Sequence, residues 1–112
     1  MDHETACGAA ARFLELMGYY IMERDWAAEN GEHCDLVATK DGELVFVDVE
    51  GCAEADEFPP PSPRDPERLY VAYARKSDAV GVSMRRDVVQ VMPLQRGRAH
   101  IRRCVSFTGE AA

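Results

Sequence analysis

The 112-residue sequence contains no apolar run approaching the ~20 residues that cross a bilayer, so no membrane-spanning helix is expected. Its opening residues, MDHETACG, are acidic and polar rather than basic and then apolar. A secretory leader is therefore not expected, and the cytoplasm is the expected location. The four cysteines, Cys7, Cys34, Cys52 and Cys104, include no Cys-x-x-Cys pair and read as free, partly buried thiols. His33, Cys34 and Cys52 make a poor zinc set, because adjacent strand residues point to opposite faces. There is no glycine-rich phosphate loop, no G-x-S-x-G and no internal repeat. His3, His33 and His100 stand alone in the sequence, as surface or packing histidines do.

What is present suits one small globular domain, expected to span residues 1–112 around a modest core. Charge is divided unevenly. Residues 1–58 carry 3 Lys/Arg against 15 Asp/Glu, and residues 59–112 carry 10 against 5. The net charge of −7 disfavours non-specific nucleic-acid binding, which phosphate contacts dominate. A basic surface supplied by the second half keeps such binding open.

The stretch DLVATKDGELVFVDVE, residues 35–50, reads as a β-hairpin. Asp41-Gly42 between two β-rich runs is a strong signal for a type I′ turn, in which both central residues need positive φ. Counting outward from that turn sets Lys40 against Glu43, Thr39 against Leu44, Val37 against Phe46 and Asp35 against Asp48. Alternation then gives Asp35, Asp48 and Glu50 one face of the sheet, and Leu36, Val45, Val47 and Val49 the other. Opposed residues lie roughly 4.5–5.5 Å apart at Cβ, where like charges repel. Two readings follow: a carboxylate site for a hard cation such as Mg²⁺, or a solvated sheet edge whose acids face water.

Around the hairpin, apolar spacing predicts a helix over residues 5–17, stopped by Gly18. A short strand is expected at Tyr19 to Met22, with Trp26 as a core or rim anchor and a tight bend at Asn30-Gly31. Residues 51–65, with Pro59, Pro60, Pro61 and Pro63, form an exposed, partly polyproline-like loop. Asp65-Pro66 starts a helix to about Lys76 that buries Leu69, Ala72 and Tyr73 and exposes Arg64, Arg68 and Arg75. Strands over Asp87 to Met92 and Ile101 to Phe107 complete the chain. Arg85, Arg86, Arg96, Arg98, Arg102 and Arg103 are expected to make that end basic. The order α-β-β-β-α-β-β describes a small α/β domain, a mixed sheet flanked by helices.

These landmarks together resemble the YraN family of predicted endonucleases. Its Ala-rich R-[FY]-L-E helix ending in Gly-Tyr matches Ala10-Ala11-Arg12-Phe13-Leu14-Glu15 and Gly18-Tyr19. Its I-x-x-R-[ND]-W strand matches Ile21, Arg24, Asp25 and Trp26. The signature G-E-I-D-L-[IV]-A followed by V-F-V-E-V-K corresponds to GEHCDLVA (Gly31 to Ala38) and VFVDVE (Val45 to Glu50). R-[FR]-D-V-V resembles Arg86-Asp87-Val88-Val89. The resemblance implies a restriction-endonuclease-like fold, similar to that of archaeal Holliday-junction resolvases. It also implies Mg²⁺ or Mn²⁺ held by Asp35 and Asp48, and branched or structured DNA as substrate.

The departures from the pattern bear on chemistry. Glu50 stands where the PD-(D/E)xK motif has its lysine, the family's helix glutamate falls on about Cys7, and one residue is inserted between Glu32 and Asp35. The resemblance implies that the lysine orients the attacking water and stabilises transition-state charge, and Glu50 reverses that sign. Three functions follow. The first is a nuclease-fold protein that binds nucleic acid without chemistry. The second is an active Mg-dependent endonuclease using Asp35, Asp48 and Glu50 as catalytic residues. The third is a protein-interaction module, homodimeric through a strand edge or the 51–65 loop.

Overall fold

A computed structural model describes residues 1–62, 67–77 and 83–105. Helix α1 spans His3–Leu16 and β1 Tyr20–Ala27; β2, His33–Lys40, and β3, Glu43–Gly51, form the hairpin. Helix α2, Glu67–Ser77, precedes β4, Ser83–Pro93, and β5, Ala99–Cys104. The order α-β-β-β-α-β-β is the one expected from the sequence. The strands make one sheet in the order β1-β2-β3-β4-β5, antiparallel throughout except for the parallel pair β3–β4. Parallel neighbours need a long crossover, and the proline-rich loop together with α2 supplies it. The helix start expected at Asp65-Pro66, and Arg64 beside it, lie outside the described residues, as does the end of the last strand at Phe107. Among the described residues no helix is long and apolar enough to cross a membrane.

Asp2 caps α1 by accepting a hydrogen bond from Thr5 N at 2.7 Å. At the other end Gly18 takes a φ of +95°, and the Tyr19 N–H returns to Leu14 O. The alternation of β3 then divides the core in two. Val45, Val47 and Val49 join Leu36, Val89 and Val91 beneath Ala6, Ala10, Ala11 and Leu14 of α1. Leu44 and Phe46 join Val37, Cys34 and Trp26 against Leu69 and Tyr73 of α2. Tyr73 meets both Phe46 and Trp26 edge-on, each with ring centroids 5.2 Å apart. Trp26 is the core anchor expected, as Leu69 and Tyr73 are on α2, and Arg68 and Arg75 are exposed.

The hairpin has the predicted turn. Asp41 and Gly42 take φ of +53° and +79°, and pairing runs Lys40↔Glu43, Thr39↔Leu44, Val37↔Phe46 and Leu36↔Val47. There the β2–β3 ladder ends. Beyond Leu36, β2 continues only alongside β1, and from Asp48 onward β3 continues only alongside β4. The two strands part like the arms of a fork. Asp35 and Asp48 stand where they separate.

Candidate functional site

The expectation that Asp35, Asp48 and Glu50 share one face is corrected at Asp35. Its Oδ2 accepts the Val49 N–H at 2.6 Å, and its Oδ1 lies 2.8 Å from His3 Nε2 on α1. Simple alternation has lapsed here. Cys34 packs in the α2-side cluster and Leu36, two residues on, in the α1-side cluster, so β2 turns over at Asp35. The neighbouring strand is kinked at the same level, where Asp25 has a φ of +50°. The cause is local: an unpaired strand N–H attracts a carboxylate, while direct opposition to Asp48 would repel one. Asp35 and Asp48 still border the same open cleft in the fork, together with His3, Glu32, His33 and Arg86.

Asp48 holds a cation supplied by the protein itself. Arg86 Nε donates to Asp48 Oδ2 at 2.7 Å and Arg86 Nη2 to Oδ1 at 3.2 Å, a two-pronged pair in which each residue is only 5% exposed. Nη2 also donates to His33 O at 3.2 Å, which ties the two arms of the fork together. Glu32 Oε1 lies 3.9 Å from Arg86 Nη1. Burial pulls the guanidinium pKa down, but the hydrogen bonds and charge of Asp48 outweigh it and the net direction is up. The sequence suggests that Arg86 belongs to a basic end. The structure instead commits it to Asp48, and commits Arg85 to Glu43 at 2.7 Å and Asp87 at 2.9 Å. The arginines left exposed on that end are Arg96, Arg98 and Arg102.

Glu50 shares the Asp48 face. Gln90 Nε2 donates to its Oε1 at 3.2 Å and the Ser62 N–H to its Oε2 at 3.1 Å. Gln90 Oε1 in turn accepts from Arg102 Nη2 at 2.7 Å, and both Gln90 Nε2 and Arg102 Nη2 donate to Pro59 O. Phe58, Pro59 and Ser62 of the proline-rich loop are thus pinned across β3, β4 and β5, with the Arg102 guanidinium 5.1 Å from the Phe58 ring centroid.

The donor set bears directly on a divalent ion at Asp35 and Asp48. One guanidinium faces both Asp48 oxygens. A hard cation bridging Asp35 and Asp48 would compete with Arg86 for Asp48, so the Asp48 surroundings fit the arginine better than Mg²⁺ or Mn²⁺. Among the described residues, the His, Cys, Asp and Glu side chains whose donor atoms converge within 4.8 Å are His3, Cys7 and Asp35. Asp48 and Glu50 are not in that group.

Two features escape the sequence reading. His3, solitary by sequence, shares its Nε2 between Asp35 and Cys7, whose Sγ lies 3.4 Å away. The four-residue spacing of His3 and Cys7 on one helix face is a signal that could have found them. Arg86 offers no such signal, since its partner is 38 residues distant in sequence.

The fold and fork define a small mixed α/β protein with acids gathered where two sheet strands diverge. The model of the uncharacterised protein family UPF0102 matches residues 8–91, and the chain belongs to that family, the YraN family. It is similar to a UPF0102 protein of Rhodococcus opacus, 35% identical over 105 residues, covering 82% of this chain and 86% of that protein. A UPF0102 protein of Flavobacterium johnsoniae is 30% identical over 91 residues, 73% of each chain. One from Roseiflexus castenholzii is 52% identical over 40 residues, 36% of this chain, and the match spans only 32% of that relative's length.

Proposed function

We propose that this chain is a nuclease-fold protein of YraN type that binds nucleic acid without cleaving it. The observation that carries this reading is the Arg86 guanidinium seated on both oxygens of Asp48, the side chain that the resemblance makes a metal ligand. The resemblance implies cleavage through a divalent cation on the carboxylates, with a cationic side chain beside the attacking water in the family pattern. Arg86 takes the first position as a fixed internal cation, and Glu50 carries the opposite charge at the second. Affinity then comes from the exposed Arg96, Arg98 and Arg102, which meet phosphates rather than base edges.

Fluorescence anisotropy with labelled branched, single-stranded and duplex DNA tests this, with gels run alongside to detect products. The expected result is binding without products, equal in Mg²⁺, Mn²⁺ or chelator. Products that vanish in Asp48→Asn overturn it in favour of a Mg-dependent endonuclease using Asp35, Asp48 and Glu50. Failure to bind any of the three DNAs overturns it in favour of a protein-interaction module.

A further inference from the structure

The amino-terminal turn of α1 brings two metal-binding side chains onto Asp35. His3 and Cys7 are one helical turn apart, so both project from the same face of α1 toward the start of β2. His3 Nε2 lies 2.8 Å from Asp35 Oδ1 and 3.4 Å from Cys7 Sγ, and all three donor atoms fall within 4.8 Å of one another. A tetrahedral zinc ion, with bonds of about 2.0 Å to N or O and about 2.3 Å to S, sets its donor atoms about 3.3–3.6 Å apart. Reaching that geometry takes about 0.5 Å of added separation between His3 Nε2 and Asp35 Oδ1, and Cys7 Sγ, now within 4.8 Å of Asp35 Oδ1, drawn inward by rotation of its side chain. Asp35 is already fixed in a ligand's posture, since its side chain is 10% exposed and its other oxygen is anchored by the Val49 N–H. Such an outer contact holds a carboxylate ligand and orients it.

We propose that His3 Nε2, Cys7 Sγ and Asp35 Oδ1 form a three-residue site for a borderline divalent ion of the zinc class, with a fourth position open to water. The donor types select this ion, because nitrogen and thiolate sulfur suit zinc where magnesium demands oxygen. The open position follows from the surroundings: the site borders a cleft lined by Gly8, Arg24 and Asp25, and a Cβ on Gly8 would meet nothing within 4 Å. Three protein ligands with a free fourth position is the pattern of zinc sites that handle water or an exogenous ligand, whereas structural sites are closed by four. Binding releases the Sγ proton to solvent and takes His3 as the neutral imidazole with its proton on Nδ1, which leaves the Nε2 lone pair for the ion. The site uses neither Asp48 nor Glu50, so it stands independently of the nucleic-acid reading.

Titration of tag-free, metal-stripped protein with Co²⁺ tests the site without any nucleic acid. One Co²⁺ per chain is expected to bind with a thiolate-to-metal charge-transfer band that Zn²⁺ abolishes by displacement. Cys7→Ser should remove the band, and His3→Gln should weaken binding at least tenfold. Glu50→Gln and a Cys52→Ser/Cys104→Ser variant should leave both unchanged. In the unaltered protein, Zn²⁺ should slow alkylation of Cys7, located by mass spectrometry, which keeps the test valid if a variant fails to fold. Absence of the band, a band that survives Cys7→Ser, or Cys7 alkylation indifferent to Zn²⁺ overturns the proposal.

Discussion

Arg86 and Asp48 are each other's condition for being buried. Each loses hydration in the interior, and the paired geometry offsets much of that loss. Arg86→Met removes the two-pronged partner of a carboxylate at 5% exposure and should cost about 3–5 kcal/mol in urea unfolding. Adding Asp48→Leu should recover most of it, because an apolar pair of similar bulk is often as stable as an ion pair. A single variant within about 1 kcal/mol of the parent would mean that the carboxylate is already satisfied by other groups. Cys34, fully buried beside this pair, makes a second prediction. Burial first, and Asp48 next, push its thiol pKa well up. The unfolded chain loses that proton at about pH 8.5 while the folded chain keeps it, so the stabilisation is complete below that point and fades as pH rises. Urea midpoints compared at pH 7 and pH 10 should fall further for the parent than for Cys34→Ala. Equal falls would show that the thiol does not contribute to the alkaline loss.

At the level of whole elements, the hairpin is legible because its turn is encoded by two adjacent residues. Asp41-Gly42 fixes the register of β2 and β3 as far as Leu36↔Val47. Counting cannot continue to Asp35, since the face of a strand is predictable only while its ladder lasts. The apolar pattern marks β1 at Tyr19 to Met22, but the strand runs from Tyr20 to Ala27. Its second half, Glu23-Arg24-Asp25, is polar, and its period is interrupted by a register shift between Ile21 and Glu23 and by the positive φ of Asp25. The same pattern starts β4 at Asp87, whereas the strand begins at Ser83, because Arg85 and Arg86 resemble surface residues until their distant acidic partners are known. The turn itself predicts an energy. Gly42 has a φ of +79° and open space around its Cβ position, so Gly42→Ala adds backbone strain without a clash. It should destabilise by about 1 kcal/mol, whereas Asp41→Gly, also at positive φ, should be no less stable than the parent. Equal stability of Gly42→Ala and the parent in urea would mean that the turn relaxes to another type.

Over the whole molecule, the separation of charge decides how nucleic acid can be met. The net charge of −7 opposes approach from most directions, and the fork adds no free positive charge because Arg86 is committed to Asp48. The β4–β5 turn and β5 are different, since Arg96, Arg98 and Arg102 are all exposed there. If these three neutralise three phosphates, the slope of log affinity against log salt should be about −3, at roughly −0.9 per phosphate on duplex DNA. Reversing Arg96 and Arg98 to glutamate should weaken binding to every sequence alike and flatten the slope by about 2. Arg102 is the poorer choice for such a test, because it also supports Gln90 and the Phe58 loop. Anisotropy titrations between low and physiological salt measure both quantities. A steep slope that survives the double reversal would move the binding surface elsewhere, to Arg12, Arg24, Arg68 or Arg75, which are also exposed. A flat slope in the parent would exclude phosphate contact as the source of affinity.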